Sequence, residues 1–79
     1  MFTVYVLKDK EGKVYKGVTN NLSRRLREHR CGSTKTTRSM DGFVVVYAET
    51  HDNFKKARER EIYLKTAAGR RFLKKILSR

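Results

Sequence analysis

Residues 4–29 read VYVLKDKEGKVYKGVTNNLSRRLREH and hold two runs of β-branched and aromatic residues joined by a polar turn. The runs are residues 2–7 and 13–18, and the turn is residues 9–12. This pattern predicts a β-hairpin, because such residues favour strands and the connecting DKEG sequence has turn composition. Side chains alternate between the two faces of a strand. In one register Tyr5 and Tyr15 are cross-strand neighbours, and after a one-residue slip they lie on opposite faces of the sheet.

An arginine-rich helix is predicted to follow the hairpin and to begin near Leu22. Either asparagine of residues 20–21 can cap it by accepting a hydrogen bond from a free backbone N–H group. At about 100° per residue, Leu22 and Leu26 define the apolar side of this helix. Arg25 and His29 flank that side together, one helical turn apart. One arginine of the helix is therefore singled out together with a histidine.

The order and spacing of these residues resemble the GIY-YIG nuclease domain, most closely its short stand-alone bacterial members. The resemblance is carried by Val4-Tyr5, Tyr15-Lys16-Gly17, residues 19–22, Arg25 and His29, and it extends over nearly all of the chain. Two positions depart from the family pattern: residues 3–5 read Thr-Val-Tyr without the usual glycine, and Lys16 stands where an apolar residue is common. The resemblance implies one α+β domain over residues 1–79, with a three-stranded antiparallel sheet and about three helices around it.

The composition indicates a small basic domain that binds a polyanion. The 79 residues include 20 Lys and Arg against 8 Asp and Glu, for a net charge of +12 and a pI near 10.4. Such a surface attracts nucleic acid, although a very soluble protein with solvated lysines has the same composition. No apolar stretch approaches the ~20 residues of a membrane span, so we expect no membrane partner and a cytoplasmic location. The single cysteine, Cys31, cannot form an internal disulfide bond.

The middle of the chain is predicted to contain a polar loop and a third strand. The loop at residues 31–38 is rich in Ser, Thr and basic residues, which suit a phosphate backbone and ordinary surface loops equally well. Its Lys35 and Arg38 are candidate substrate contacts. The unbroken apolar run at residues 43–48 predicts a strand covered on both faces, with Tyr47 in the core.

Glu61 interrupts the apolar stripe of the next predicted helix, residues 53–65. Phe54, Ala57 and Leu64 mark this stripe, and Glu61 lies within it. An unpaired carboxylate on a core-facing stripe is costly, so Glu61 is predicted to pair with an arginine such as Arg25, to bind a metal, or to lie at an open rim of the core. The resemblance favours the metal, because the family has a helix that bears a glutamate. A final helix is predicted from residue 67 to residue 79.

The resemblance and the side-chain chemistry together predict hydrolysis of a phosphodiester bond. Arg25 would bind the phosphate, and Glu61 would hold one divalent cation, Mg²⁺ or Mn²⁺. Tyr5 would accept the proton of the attacking water, Tyr15 would position water or phosphate, and His29 would donate to the phosphate or to the leaving oxygen. Gly17 and Lys16 complete the predicted substrate contacts. The eight acidic residues form no cluster along the chain, which argues against a two-metal nuclease.

Two classes of function follow from these residues. The first is a metal-dependent endonuclease that acts on nucleic acid, DNA rather than RNA, with a role in DNA repair. The second is a basic module with the same fold and little activity, which binds nucleic acid or needs a protein partner for targeting. The set of Tyr5, Tyr15, Arg25, His29 and Glu61 favours the nuclease, because a pure binder has no reason to place a carboxylate where a polyanion docks.

Overall fold

The sheet is built around its first strand. The computed structural model describes residues 1–31 and 42–77. Within these ranges the elements are β1 (Phe2–Lys8), β2 (Val14–Thr19), α1 (Leu22–Arg30), β3 (Val44–His51), α2 (Phe54–Leu64) and α3 (Ala67–Leu77). The strands form one antiparallel sheet in the order β2-β1-β3. This architecture confirms the predicted α+β fold.

The buried strand is β1, and the prediction that β3 is covered on both faces is wrong. Four successive β1 side chains, from Val4 to Leu7, have no exposed surface. Every residue of β3 is partly or fully exposed, and Val44 is 57% exposed. An apolar run in the sequence does not show whether a strand is central or at the edge of the sheet. The central place belongs to β1 because it pairs on both sides.

The hairpin register puts the two tyrosines on one face of the sheet. Tyr5 lies directly opposite Gly17, and Tyr15 lies opposite Leu7, two residues along. The tyrosines are therefore diagonal cross-strand neighbours, and their ring centroids are 6.1 Å apart. Lys16, which pairs with Val6 on the central strand, occupies the opposite face.

Asp9 organises the predicted turn between β1 and β2. Its carboxylate oxygen Oδ1 accepts hydrogen bonds from the backbone N–H groups of Glu11, at 3.0 Å, and Lys13, at 2.7 Å. Gly12 has a φ of +88°, a conformation that other residues rarely adopt. These local interactions fix where the two strands meet and hence the register.

The helices begin where side-chain caps supply acceptors. Asn21 caps α1 by accepting from the backbone N–H of Arg24 at 3.0 Å, and Asn53 caps α2 by accepting from that of Lys56 at 2.9 Å. Helix α1 starts at Leu22, as predicted. Within the described ranges no helix is long and apolar enough to cross a membrane.

The main core lies between one face of the sheet and helices α2 and α3. Val4 and Val6 pack there against three buried side chains, Ala57, Leu64 and Leu73. Tyr47 is partly buried against this core, as predicted, and meets Phe72 edge to face. Phe54, predicted on the same stripe, is instead 52% exposed, because it begins α2 at the margin of the sheet.

Arg60 links β3 to the two C-terminal helices. Its Nε donates to Glu49 Oε1 at 2.7 Å, and this hydrogen bond raises the pKa of the guanidinium. The same guanidinium lies 4.8 Å from the ring centroid of Tyr63 and 4.9 Å from that of Phe72. Such cation–π contacts add to the ion pair, so one side chain joins three elements.

Gly69 allows α3 to pack closely against the end of α2. A Cβ atom at this position would lie 2.0 Å from the carbonyl oxygen of Tyr63 and 2.5 Å from Cα of Leu64. Because the clash is with backbone, we expect Gly69→Ala to lower the free energy of unfolding by about 3 kcal/mol, measured by urea denaturation. Ala68→Ser, at an exposed neighbouring site, is the control. Equal stability of the two variants would show that α3 does not dock as described.

Candidate active site

A cavity of about 210 Å³ opens beside the edge strand β2. Its walls come from β1, β2, α1 and α2. The lining residues are Tyr5, Tyr15, Gly17, Val18, Arg25, Phe54, Arg58 and Glu61. The fold therefore brings four predicted catalytic residues to one cavity, and His29 lies directly behind Tyr5.

Tyr5 and His29 form a buried hydrogen-bonded pair. The Tyr5 hydroxyl is 2.9 Å from His29 Nε2, and the two residues are 0% and 2% exposed. Burial, together with the nearby Arg25 guanidinium, lowers the pKa of His29, so the imidazole is neutral at pH 7. The direction of the hydrogen bond depends on the His29 tautomer: when the proton of the neutral imidazole is on Nδ1, the Tyr5 hydroxyl donates to Nε2. In that tautomer His29 is an acceptor for Tyr5. It lies behind Tyr5 and is not among the residues that line the cavity, and its contact with the phosphate stays a prediction.

The ionisation of Tyr5 is opposed by its surroundings. Burial raises the pKa of Tyr5 to about 12, although the hydrogen bond and charge of Arg25 act in the opposite direction. Tyr15 packs over this pair, with its ring centroid 5.0 Å from that of His29. A free tyrosinate at neutral pH is therefore rare, and any proton that Tyr5 takes from water needs an onward acceptor.

Arg25 connects α1 to both tyrosines. Hydrogen bonds to the hydroxyls of Tyr5 and Tyr15 and to Glu28 raise the pKa of its guanidinium. Its Nη1 lies 3.0 Å from Glu28 Oε1, and 31% of the side chain is exposed. The alternative that Glu61 pairs with an arginine is confirmed, but the arginine is Arg58. Arg25, which was suggested as the partner, binds Glu28, one turn along α1.

Glu61 is 6% exposed and pairs with cations of its own helix. Its carboxylate accepts from Arg58 and lies 3.9 Å from the Lys65 Nζ atom, and both cations are about half exposed. In residues 1–31 and 42–77, no three His, Cys, Asp or Glu side chains come together as a metal site. A single carboxylate can hold Mg²⁺ or Mn²⁺, since Mg²⁺ commonly keeps several waters and takes one or two carboxylates together with substrate phosphates, but Glu61 must first exchange its ion pair with Arg58.

Gly17 makes room for the Tyr5 ring. A Cβ atom at residue 17 would lie 2.6 Å from the Tyr5 hydroxyl oxygen, 2.7 Å from its Cζ and 3.1 Å from Tyr15 Cε1. The tyrosine therefore lies across bare backbone, and Gly17, a predicted substrate contact, lines the cavity beside it.

Replacing Gly17 with alanine is expected to displace the Tyr5 hydroxyl from His29. The overpacking should lower the free energy of unfolding by about 2 kcal/mol and abolish any reaction that uses Tyr5. Urea denaturation and a cleavage assay measure the two effects. Gly12→Ala is the matched control: it strains a positive φ but meets no atom within 4 Å, so it should lose stability without losing activity.

Comparison with known proteins identifies the family. A family model described as the GIY-YIG catalytic domain matches residues 1–75. The chain belongs to the GIY-YIG family. This places the GIY-YIG chain among nucleases, proteins that act on nucleic acid.

The relatives of this GIY-YIG chain include short bacterial proteins. It is 38% identical over 78 residues to the UPF0213 protein CPE1444 of Clostridium perfringens, covering 96% of this chain and 83% of that protein. It is 34% identical over 77 residues to the UPF0213 protein SH2523 of Staphylococcus haemolyticus, covering 96% and 94%. The solution NMR structure of the UPF0213 protein BH0048 from Bacillus halodurans superposes with a TM-score of 0.59 at 28% identity, covering 96% and 85%.

Lys16, a predicted substrate contact, does not line the proposed catalytic cavity of this GIY-YIG domain. Lys16 lines a different cavity of about 360 Å³, together with residues such as Arg70 and Lys74. Burial and the nearby charges of Arg70 and Lys65 lower the pKa of Lys16. Lys35 and Arg38 lie outside the described residues.

Three residues of the cavity wall, Val18, Phe54 and Arg58, were not predicted as site residues. Arg58 is three residues before Glu61 on α2, a spacing that places both side chains on one face and was available as a signal. Phe54 was assigned to the core because its spacing matched the apolar stripe. Its position at the first turn of α2 sets it at the cavity rim of the GIY-YIG domain instead.

Proposed function

We propose that this protein is a divalent-metal-dependent endonuclease that hydrolyses phosphodiester bonds in DNA. The observation that carries the proposal is the meeting of Tyr5, Arg25 and Glu61 at one cavity of a protein with a net charge of +12. A base, a phosphate ligand and a metal ligand are the three groups that this hydrolysis needs.

The phosphate is bound by Arg25. Its planar guanidinium presents two parallel N–H donors to phosphate oxygens and keeps its charge at every relevant pH. The side chain is already partly exposed, whereas its contacts to the tyrosine hydroxyls are made to neutral groups. A phosphate is a stronger acceptor than a neutral hydroxyl, so substrate binding draws Arg25 away from Tyr5. Arg58, at the same cavity, supplies a second positive charge.

The proton of the attacking water passes through Tyr5 to His29. As the water oxygen forms its bond to phosphorus, its proton moves to the Tyr5 oxygen, and the Tyr5 proton moves to Nε2 of His29. The 2.9 Å separation and the neutral state of His29 support this order of transfer. The relay removes the need to ionise a tyrosine whose pKa is about 12. Tyr15 keeps the role of positioning the water or the phosphate.

Glu61 is the residue that would hold Mg²⁺ or Mn²⁺. The ion supplies positive charge for the phosphate and the leaving oxygen. For Glu61 to be available, Arg58 must release the carboxylate, and its half-exposed side chain is free to do so in favour of a phosphate oxygen. Exchange of partners between Arg58 and Glu61 thus accompanies substrate binding.

A second candidate function, binding of nucleic acid without cleavage, is favoured by one observation. The Tyr5 residue has no exposed surface, so water does not reach its hydroxyl in the described conformation. A module that binds nucleic acid without cutting it, or that is activated by a protein partner, would have such a closed site. The nuclease proposal requires that substrate alone opens it.

The test is a Mg²⁺ and Mn²⁺ titration of cleavage on single-stranded, duplex and branched DNA and RNA, with the wild type beside Glu61→Ala. Metal-dependent cuts that vanish in the variant support the nuclease. Salt-sensitive binding without any cleavage would refute the nuclease and support the binding module or partner-dependent subunit. The proposed setting is the cytoplasm, and the proposed process is DNA repair.

A further inference from the structure

Phe54 is an exposed aromatic residue at the rim of the proposed active site. It is 52% exposed and lines the same cavity as Arg25 and Arg58. A single apolar residue in solvent is common and needs no explanation by itself. The location of Phe54 is what matters, because it places a π face beside the groups that bind phosphate.

The Phe54 ring is held in place before any ligand arrives. The Phe2 ring packs against it edge to face, with centroids 5.5 Å apart and planes at 71°. The preceding residue, Asn53, caps α2 and fixes the first turn that carries Phe54. A ring supported from one side and exposed to solvent is a preorganised stacking surface.

An aromatic ring next to phosphate ligands matches the chemistry of one nucleotide. Bases stack on aromatic side chains in proteins that bind single strands, and arginines bind the adjoining phosphates. A base inside a continuous duplex already stacks on both neighbours and is not available to Phe54. Only an unpaired or displaced base next to the scissile phosphate can occupy this position.

We infer that Phe54 is the platform of a nucleobase subsite, which stacks on an unpaired base adjacent to the phosphate bound by Arg25. The inference rests on the proposed function and narrows its substrate. The preferred nucleic acid is single-stranded or carries a bulge or branch at the cut, and continuous duplex is disfavoured.

The experiment measures binding in EDTA, so that no cleavage takes place. The probes are an uninterrupted DNA duplex, the same duplex with a one-nucleotide bulge, and the bulged duplex with an abasic site in place of the bulged base. Fluorescence anisotropy gives the affinities. A 2-aminopurine at the bulge reports stacking through its change in fluorescence. The variants are Phe54→Ala, Phe54→Leu and Phe54→Trp, with Ile62→Ala as the control, which is 50% exposed on the same helix but outside the cavity lining.

We expect the wild type to bind the bulged duplex about 5- to 150-fold more tightly than the abasic one, the range that corresponds to stacking of one base. Phe54→Ala should remove this difference and leave binding to continuous duplex unchanged. Phe54→Leu should act like alanine, whereas Phe54→Trp should restore both affinity and the fluorescence change. Ile62→Ala should behave as wild type.

Three results would overturn the subsite. They are equal affinity of the wild type for the bulged and abasic probes, an equal loss of affinity by Phe54→Ala on all three probes, and recovery with leucine as complete as with tryptophan. Thermal melts of each variant identify any that fail to fold. If Phe54→Ala fails to fold, Phe54→Leu replaces it in the comparison, because leucine keeps most of the apolar volume. Because binding is read without metal, a protein that stacks the base but never cuts would refute the nuclease and retain the subsite.

Discussion

Replacing Glu61 with glutamine is expected to lower the cleavage rate by about 100-fold or more. A metal ion in the proposed role contributes several kcal/mol of charge stabilisation to the transition state, and each 1.4 kcal/mol corresponds to a factor of ten. Glutamine keeps the shape of the side chain but removes the charge that holds a divalent cation. Single-turnover cleavage measures the rate, and calorimetric titration with Mn²⁺ alone measures the loss of metal binding.

The Glu61→Gln experiment has an internal control on the same helix. Glu59 is exposed, so Glu59→Gln should cleave and bind metal like the wild type. Nucleic-acid binding in EDTA should persist in both variants, because the basic surface is intact. Loss of the Arg58 and Lys65 ion pairs should change stability by only about 1 kcal/mol, since both cations are half exposed. Full cleavage by Glu61→Gln would refute the metal assignment.

Replacing Tyr5 with phenylalanine is expected to reduce cleavage by about 100- to 10,000-fold, the usual contribution of a positioned proton-transfer group. The pH dependence of the wild type distinguishes two ways of using this residue. If Tyr5 had to ionise first, with a pKa of about 12, the rate would rise about tenfold per pH unit through neutrality. If His29 takes the proton, the rate is level above the pKa of His29, which lies below its ordinary 6.5, and falls as the pH drops through it.

The pH profile of single-turnover cleavage, taken from pH 5 to pH 10 at constant ionic strength, therefore tests the relay. Tyr47→Phe removes a hydroxyl from a partly buried tyrosine of the main core and should leave the rate and its profile unchanged. A slope of one that continues through pH 9 would rule out His29 as the acceptor. A Tyr5→Phe protein as active as the wild type would remove Tyr5 from the chemistry.

The first half of the fold was predictable because its determinants are local. The turn at residues 9–12, the cap before Leu22 and the spacing of Arg25 and His29 depend on neighbours within a few positions. These features are confirmed by the bonds of Asp9 and by the Asn21 cap. The family resemblance rests on the same stretch, and the match over residues 1–75 confirms it.

The features that were not predictable depend on partners far away in sequence. The apolar run of β3 has the composition of a buried strand, yet the pairing of β1 on both sides makes β3 an edge. Phe54 fits the helical spacing of the apolar stripe, but it begins α2 at the margin of the sheet and is 52% exposed. The spacing of His29 shows that it accompanies Arg25. It does not show that a tyrosine hydroxyl from the central strand lies 2.9 Å from Nε2.

The alternation of side chains along β2 gives neighbouring positions separate tasks. Tyr15 and Gly17 shape the proposed catalytic cavity, whereas Lys16, between them, lines the cavity on the other side of the strand. A substitution at Lys16 therefore changes the wall of the second cavity and leaves Tyr15 and Gly17, at the proposed catalytic cavity, in place. Three consecutive residues of one strand thus contribute to two separate cavities, because successive side chains of a strand point to opposite faces.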